Sequence, residues 1–102
     1  MPVLTGEQRR RASARAVAAK KRRARIRRDL KAGRLRLPEV LAAVDAGDRA
    51  LARMRVRDLL LALPRVGPTT AYLVMDEVGI AESRRLAGLS TRQRAELLRR
   101  FG

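Results

Sequence analysis

The residues whose types best suit ligand binding lie in a turn that follows Leu63. Pro68 fits the first position of a helix, and the N–H groups at the start of a helix have no partner within it. These donors, together with the positive end of the helix dipole, attract phosphate. The candidate phosphate-binding residues are Arg65, Val66, Gly67, Thr69 and Thr70. An ordinary corner between two helices explains the same residues, so the turn alone leaves both interpretations open.

Two short amphipathic helices are predicted to hold this turn. Apolar residues recur with the spacing i, i+3, i+4 and i+7 from Val56 to Leu63 and again from Ala71 to Val78, which is typical of one helix face. Pro64 and Gly67 predict a tight turn between them. We expect Gly67 to take a conformation, or a close approach to a nucleic-acid backbone, that a Cβ atom would obstruct. The pattern favours a helix-hairpin-helix, which holds a nucleic-acid strand through backbone groups.

The composition excludes several classes of chemistry. The 102 residues contain no Cys and no His, which excludes disulfides, zinc fingers, thiol nucleophiles and imidazole bases. Asp76 and Glu77 are neighbours in sequence, but adjacent residues on a helix do not face each other. A base-flipping enzyme encloses a nucleotide in a pocket, and a chain of this length is too small to build one. We therefore expect no enzyme activity, no catalytic residue, no metal site and no cofactor.

The charge balance indicates a polyanionic partner. The sequence has 25 Lys and Arg against 10 Asp and Glu, a net charge of +15, and such an excess points first to nucleic acid. No apolar run reaches the roughly 18 residues that a membrane-spanning helix needs, and no signal-peptide pattern is present. We therefore expect a cytoplasmic protein without a membrane partner, and a monomer when it is free.

The positive charge is concentrated in residues 1–34, which hold thirteen Lys or Arg against two acids. Thr5 and Gln8 form a predicted capping box, and Gly33 is a helix stop. We therefore expect a helix from about Gly6 to Ala32, which would be roughly 40 Å long. This predicted segment is called the basic arm.

Only the Ile26–Leu30 end of the basic arm is expected to pack firmly, because the rest of its apolar stripe is alanine. A solvated surface helix would carry both signs of charge, and a helix lying on a membrane needs bulky apolar residues. A helix that follows phosphates needs only cations, and blocks of like charge commonly bind nucleic acid. We favour this third interpretation. The candidate contacts on the arm are Lys20, Lys21, Arg22 and Arg23.

The rest of the chain is predicted to be a compact helical domain. Asp48 as a cap and a Ser90/Gln93 capping box are among the signals for about four or five short helices. No strand-like alternation occurs anywhere. The predicted class is all-α, with a basic helical arm over residues 1–34 and a binding domain over residues 35–102.

The order of residues also resembles a known family, the actinobacterial integration host factors. The most specific matches are Leu63-Pro64, Val66-Gly67, Gly79-Ile80, Ser83-Arg84-Arg85-Leu86, Gly88-Leu89 and Phe101-Gly102. The resemblance implies a helix-two-turns-helix core and a nucleoid-associated protein that binds and shapes duplex DNA with low sequence specificity. It further implies contacts in the minor groove and a supporting role in site-specific recombination. With this resemblance, Arg84, Arg85 and Gly88 become candidate DNA-binding residues, and Arg92 is weighed evenly against an ordinary surface charge.

The hairpin departs from the family pattern. The family usually has Gly where this chain has Arg65, and basic residues where it has Pro68 and Thr70. Ala87 stands in place of an Arg, and Ser90 in place of a Gly. The turn has therefore lost cations and gained one at its tip.

Structured RNA, as in a ribosome-associated protein, is the alternative partner. Helix-two-turns-helix proteins also occur in the small ribosomal subunit, and a charge of +15 suits RNA equally well. Single-stranded RNA is usually bound by stacking bases on aromatic side chains. The aromatic residues are Tyr72 and Phe101, and both are expected to be buried. This disfavours single strands and leaves structured RNA open.

Overall fold

The protein is an all-α bundle in the computed structural model, which describes residues 3–102. Within that range the chain forms six α-helices and a single 3-10 turn. The α-helices are α1 (Gly6–Lys31), α2 (Leu37–Asp45), α3 (Arg49–Ala52), α4 (Val56–Ala62), α5 (Pro68–Val78) and α6 (Thr91–Phe101), and the 3-10 turn covers Leu86–Gly88. The predicted all-α class is confirmed. None of the helices in the described range is long and apolar enough to cross a membrane.

Helix α1 has the predicted bounds and the predicted caps. Thr5 and Gln8 form the capping box, and Gly33 follows the helix with a φ of 77°. Its buried residues are Ile26 and Leu30, which are 7% and 0% exposed. The expectation that this end packs firmly is confirmed, and all residues of the alanine-rich first half, 6–18, are exposed.

The short helices share one aliphatic core. Each contributes buried apolar residues from one face, as amphipathic helices do. The most deeply buried side chains are Leu30, Leu37, Val40, Leu51, Met54, Val56, Leu59, Leu60 and Leu97. Helix α6 is also tied to α2 by two parallel hydrogen bonds from Arg94 to the carboxylate of Asp45, at 2.7 and 2.8 Å. These hydrogen bonds hold the pKa of Asp45 below its usual value.

Backbone hydrogen bonds join the segment after α5 to the start of α4. The Val56 N–H donates to the Arg84 carbonyl at 2.9 Å, and the Leu86 N–H donates to the Met54 carbonyl at 2.9 Å. Leu86 is 2% exposed and anchors the 3-10 turn in the core. Arg84 and Arg85 are therefore fixed beside the first turn of α4.

The turn between α4 and α5 differs from the prediction at Gly67. This residue is the N-cap of α5 with an extended backbone (φ −95°, ψ 178°), and a Cβ atom added there would meet nothing within 4 Å. The expectation of a glycine-only conformation at Gly67 is therefore wrong, and the alternative, a close approach to a nucleic-acid backbone, stays a prediction. The left-handed residue of the turn is Arg65, with a φ of 65°. The conformation that usually calls for glycine thus falls at Arg65, the position where the sequence resemblance implies a glycine in the family.

Tyr72 also differs from the prediction. Its side chain is 61% exposed, whereas Phe101 is half-buried against the core. The buried stripe of α5 begins at Ala71, and the next residue is turned by about 100° around the helix axis. Tyr72 therefore lies beside the buried face of α5 and not on it.

We predict that Arg65→Gly stabilises the fold. A non-glycine residue in the left-handed region costs about 1–2 kcal/mol, and glycine returns roughly 0.5–1 kcal/mol of that as backbone entropy in the unfolded chain. The expected gain in the free energy of unfolding is about 0.5–1 kcal/mol, measured by chemical denaturation. Arg65→Ala is the control, because it removes the guanidinium and keeps the strain. Equal stabilisation by both variants would contradict a backbone origin.

Candidate nucleic-acid interface

Helix α1 is anchored to α3 by polar contacts beyond its buried end. Arg22 Nε donates to Asp48 Oδ2 at 2.6 Å, and Arg23 Nη1 donates to the Ala50 carbonyl at 3.4 Å. Asp48 is also the N-cap of α3, because its side chain accepts the Leu51 N–H at 3.1 Å. Partial burial raises the pKa of Asp48, but the Leu51 N–H and the Arg22 guanidinium outweigh it, so the pKa is lowered overall. The carboxylate therefore holds two elements in register.

An open groove of about 780 Å³ runs between α1 and α3. Its floor includes the alanine stripe of α1, which leaves space because methyl side chains do not reach across. No carboxylate lines it among the described residues. We call it the basic groove. The cations that line it are Arg15, Lys20, Arg22, Arg23, Arg49, Arg53 and Arg85.

Two of these cations are oriented by backbone carbonyls. Arg85 Nη1 donates to the Arg53 carbonyl at 2.8 Å, and Arg23 meets the Ala50 carbonyl as described. A carbonyl acceptor orients a guanidinium without cancelling its charge, and the guanidinium keeps further N–H donors free. The basic groove therefore presents several oriented cations to one polyanionic ligand.

Arg84 lies flat over Gly88. Its Nη1 donates to the Gly88 carbonyl at 3.0 Å, and a Cβ atom at Gly88 would lie 3.0 Å from Arg84 Cδ. The missing side chain of Gly88 therefore leaves the space that the Arg84 side chain occupies. Arg84 itself is exposed.

The turn before α5 carries free donors at the predicted place, with one exception. The N–H groups of Gly67, Thr69 and Thr70 have no partner within residues 3–102. The Val66 N–H donates to the Leu63 carbonyl at 3.3 Å, and the Val66 side chain is buried. The expectation of a free N–H is therefore wrong for Val66, which packs the turn onto the core. Lys31 Nζ bonds the Leu63 carbonyl at 2.8 Å and adds a cation that the sequence did not single out.

The turn and the basic groove lie near opposite ends of α4. Arg84 and Arg85 sit by its first residue, whereas the turn follows its last, and seven helical residues span about 10 Å. Helix α1 runs alongside, with Lys31 at the turn and Arg22 at α3. The structure therefore brings Lys20, Arg22, Arg23 and Arg85 together and leaves Arg65–Thr70 as a second surface.

Two predicted residues lie outside both surfaces. Arg92 Nη2 donates to the Val78 carbonyl at 2.9 Å, beside the bond from Gln93 Nε2 to the Gly79 carbonyl at 3.1 Å. Both bonds satisfy carbonyls at the C-terminus of α5, where a cation also meets the negative end of the dipole. Arg92 therefore has a structural role here. Lys21 is exposed and does not line the basic groove.

Sequence reasoning missed Arg15, Arg49 and Arg53, which line the basic groove. Arg49 and Arg53 follow the cap Asp48 with a spacing of four, which puts them on one side of a helical turn. This spacing was available as a signal. Their approach to α1, in contrast, depends on tertiary packing.

The short helices, the hairpin and the cap-stabilised bundle define a helix-two-turns-helix protein. The family model described as an S13-like H2TH domain matches residues 30–101. The chain is 45% identical to the integration host factor of Mycobacterium tuberculosis and 41% identical to that of Streptomyces coelicolor, over 100% of this chain and 96% and 94% of those proteins. The chain belongs to the integration host factor family.

A solved structure has the same fold. The chain described as sIHF bound to an 8bp palindromic DNA superposes with a TM-score of 0.82 at 38% identity. The match covers 87% of this chain and 99% of that chain. The predicted resemblance is therefore confirmed, and with this family membership so is the expectation that the protein is not an enzyme.

We predict that Asp48→Ala lowers the free energy of unfolding by about 1–2 kcal/mol, because the α3 cap is lost. Asp48→Asn should cost less, since an amide oxygen still caps α3 while the ion pair with Arg22 is gone. The lowered pKa means that the carboxylate stabilises the fold above its unfolded value of about 3.9 and loses this effect as pH falls through the folded value.

The measurement is stability against pH for the wild type and Asp48→Asn. The difference between them should shrink below about pH 4. Asp76→Asn is the control, because the Asp76 carboxylate has no ion-pair partner within residues 3–102. A pH-independent difference for Asp48→Asn would contradict this role of the carboxylate.

Proposed function

We propose that the protein is an architectural DNA-binding protein of the bacterial nucleoid. The observation that carries this proposal is the basic groove. Seven cations and no carboxylate line it among the described residues, and of the seven only Arg22 has a carboxylate partner there, Asp48. The related chain described as bound to an 8bp palindromic DNA supports duplex DNA as the ligand. A nucleoid location in the cytoplasm follows from that ligand.

The basic groove is proposed to contact DNA phosphates. Its guanidiniums offer planar, multiple donors that suit phosphate oxygens. The residues assigned to this surface are Lys20, Arg22, Arg23 and Arg85 from the sequence, with Arg15, Arg49 and Arg53 from the geometry. Arg84 and Gly88 are assigned to its margin, and Lys21 stays a proposed phosphate contact outside the groove. Binding of this kind is strong but carries little sequence information.

The hairpin turn is proposed as a second contact. Its free N–H groups at Gly67, Thr69 and Thr70 and the positive end of the α5 dipole suit a phosphate. Arg65 at the tip is exposed, and arginine is favoured in a narrow minor groove because the potential there is more negative. Val66 positions the turn, and Arg92 supports the far end of α5. A duplex that follows α1 from the basic groove to the turn gains contacts at both ends, which suits a protein that shapes DNA.

The remaining assignments belong to the same proposal. Residues 1–34 act as the basic arm and residues 35–102 as the binding domain, with Ile26 and Leu30 as the joint between them. A net charge of +15 opposes self-association, so the free protein is a monomer. Support of site-specific recombination is proposed as the consequence of shaping DNA.

Structured RNA is kept as the second candidate because the matching family model is S13-like. Because Tyr72 is exposed, a lack of exposed aromatic rings no longer argues against binding of single-stranded RNA. However, Asp76 lies one helical turn further on and places a carboxylate beside that ring, which disfavours a phosphate-bearing strand there. Competition between equal masses of duplex DNA and a folded RNA decides the point. Preferential displacement by the folded RNA would overturn DNA as the main partner.

We predict that duplex affinity falls steeply with salt, with a log–log slope of about −0.9 per neutralised phosphate. The double variant Arg53→Gln/Arg85→Gln should bind more weakly and flatten the slope by about 1–2 units. Arg99→Gln is the matched control, because Arg99 is paired with Glu96 on α6 and lies outside the basic groove. A thermal melt of each variant separates lost contact from lost folding. An unchanged slope in a folded double variant would exclude the basic groove as the phosphate site.

A further inference from the structure

A second groove, of about 570 Å³, lies between α4, α5 and the segment that follows α5. Its wall is apolar, with Leu61, Ala71, Met75 and Ile80 along it. Tyr72 stands on its rim and is 61% exposed, although a tyrosine ring usually packs against apolar surface. No residue of α1 lines this groove. It shares no residue with the basic groove, and Pro68 is its one residue from the hairpin turn. It is called the acidic groove below.

The charges of the acidic groove are unusual for this chain. It carries the carboxylates of Asp76 and Glu82 beside the single cation Arg57. Seven of the ten acidic side chains have a hydrogen-bond or ion-pair partner within residues 3–102, and Asp58, Asp76 and Glu82 do not. Two of these three unpartnered carboxylates thus lie in one apolar groove. They repel phosphate and suit a partner that is both apolar and cationic.

The N-terminal segment of the same chain has this combination of apolar and cationic residues. Val3 and Leu4 are 83% and 51% exposed, and Arg9 and Arg10 follow within two turns of α1. The chain's own groove is out of reach, because twenty helical residues separate Gly6 from the buried Ile26, a distance of about 30 Å. The complementary segment must therefore come from another molecule.

We propose that the acidic groove binds the N-terminal segment of a second copy when both copies lie on DNA. Val3 and Leu4 of the incoming copy fill the apolar floor, and its Arg9 and Arg10 face Asp76 and Glu82. This inference rests on the proposed DNA-binding function, because two free copies of charge +15 repel each other and phosphates remove that repulsion. Placement on one duplex also raises the effective concentration of the segment, so a small interface suffices.

The contact is heterologous, since a segment of one copy meets a different surface of the next. Such contacts propagate in one direction when they do not close into a ring. Copies would therefore line up head to tail along the duplex, and occupancy of a long duplex would be cooperative.

The absence of native cysteine gives a direct test by cross-linking. Full-length Val3→Cys protein is mixed with Ala81→Cys protein, which places one thiol in the acidic groove, with and without a long duplex, under mild oxidation. Val3→Cys mixed with Ala46→Cys is the control, because Ala46 is exposed and lies outside the groove. We expect a DNA-dependent heterodimer in the first mixture and background in the second. Equal yields would overturn the proposal.

The carboxylates are tested in the same assay. Asp76→Asn/Glu82→Gln in the Ala81→Cys protein should reduce the cross-linked fraction about tenfold, equivalent to about 1.4 kcal/mol. Asp58→Asn should not, because that carboxylate lies outside the acidic groove. If the double variant cross-links as well as the parent, charge complementarity is wrong.

A duplex long enough for one copy only separates this inference from the proposed function. Binding there needs the DNA contacts and not the acidic groove. If the wild type fails to bind the short duplex, the proposed function has failed. If it binds the short duplex normally and the long duplex without cooperativity, the acidic groove does not hold a second copy, whatever else it binds.

Discussion

The docking of α1 against α3 and α4 is the contact on which the basic surface depends. Leu30 is fully buried, and the Arg22–Asp48 pair adds a polar link two turns earlier. Because a helix is stiff over several turns, fixing this end fixes the direction of every cation on the free half. If α1 were not docked by these contacts together, Lys20 and Arg23 would have no defined position relative to Arg85, and the basic groove would not exist as one surface.

A chain with 25 cations and 10 acids must orient most cations without carboxylates. The structure does so with carbonyl oxygens, many of them at or near the ends of helices. The pairs are Arg23 with Ala50, Lys31 with Leu63, Arg84 with Gly88, Arg85 with Arg53 and Arg92 with Val78. Each of these bonds gives a cation a carbonyl acceptor, and it leaves the full positive charge in place. The same contacts that order the fold therefore preserve its attraction for a polyanion.

Most of the fold could be predicted because it rests on local rules. The capping boxes at Thr5 and Ser90 act within three residues, and apolar spacing acts within two turns. The basic groove could not be predicted in full, since the approach of Arg49 and Arg53 to α1 is set by long-range packing. The prediction that Tyr72 is buried was wrong, because Tyr72 follows the buried Ala71 and is turned by about 100° away from the buried stripe of α5.

Arg65 shows how a departure from the family pattern changes the energetics of a turn. The backbone there is left-handed, which is the conformation that favours glycine, whereas Gly67 has an extended backbone that any residue can adopt. The arginine therefore costs stability at a position that glycine would occupy without strain. Its side chain is exposed and fills no space in the core. Strain of this kind persists mainly where a side chain has a use outside the fold. Because the neighbouring Pro68 and Thr70 carry no charge, Arg65 supplies the cation at the tip of the turn, and Lys31 of α1 adds a second one beside Leu63.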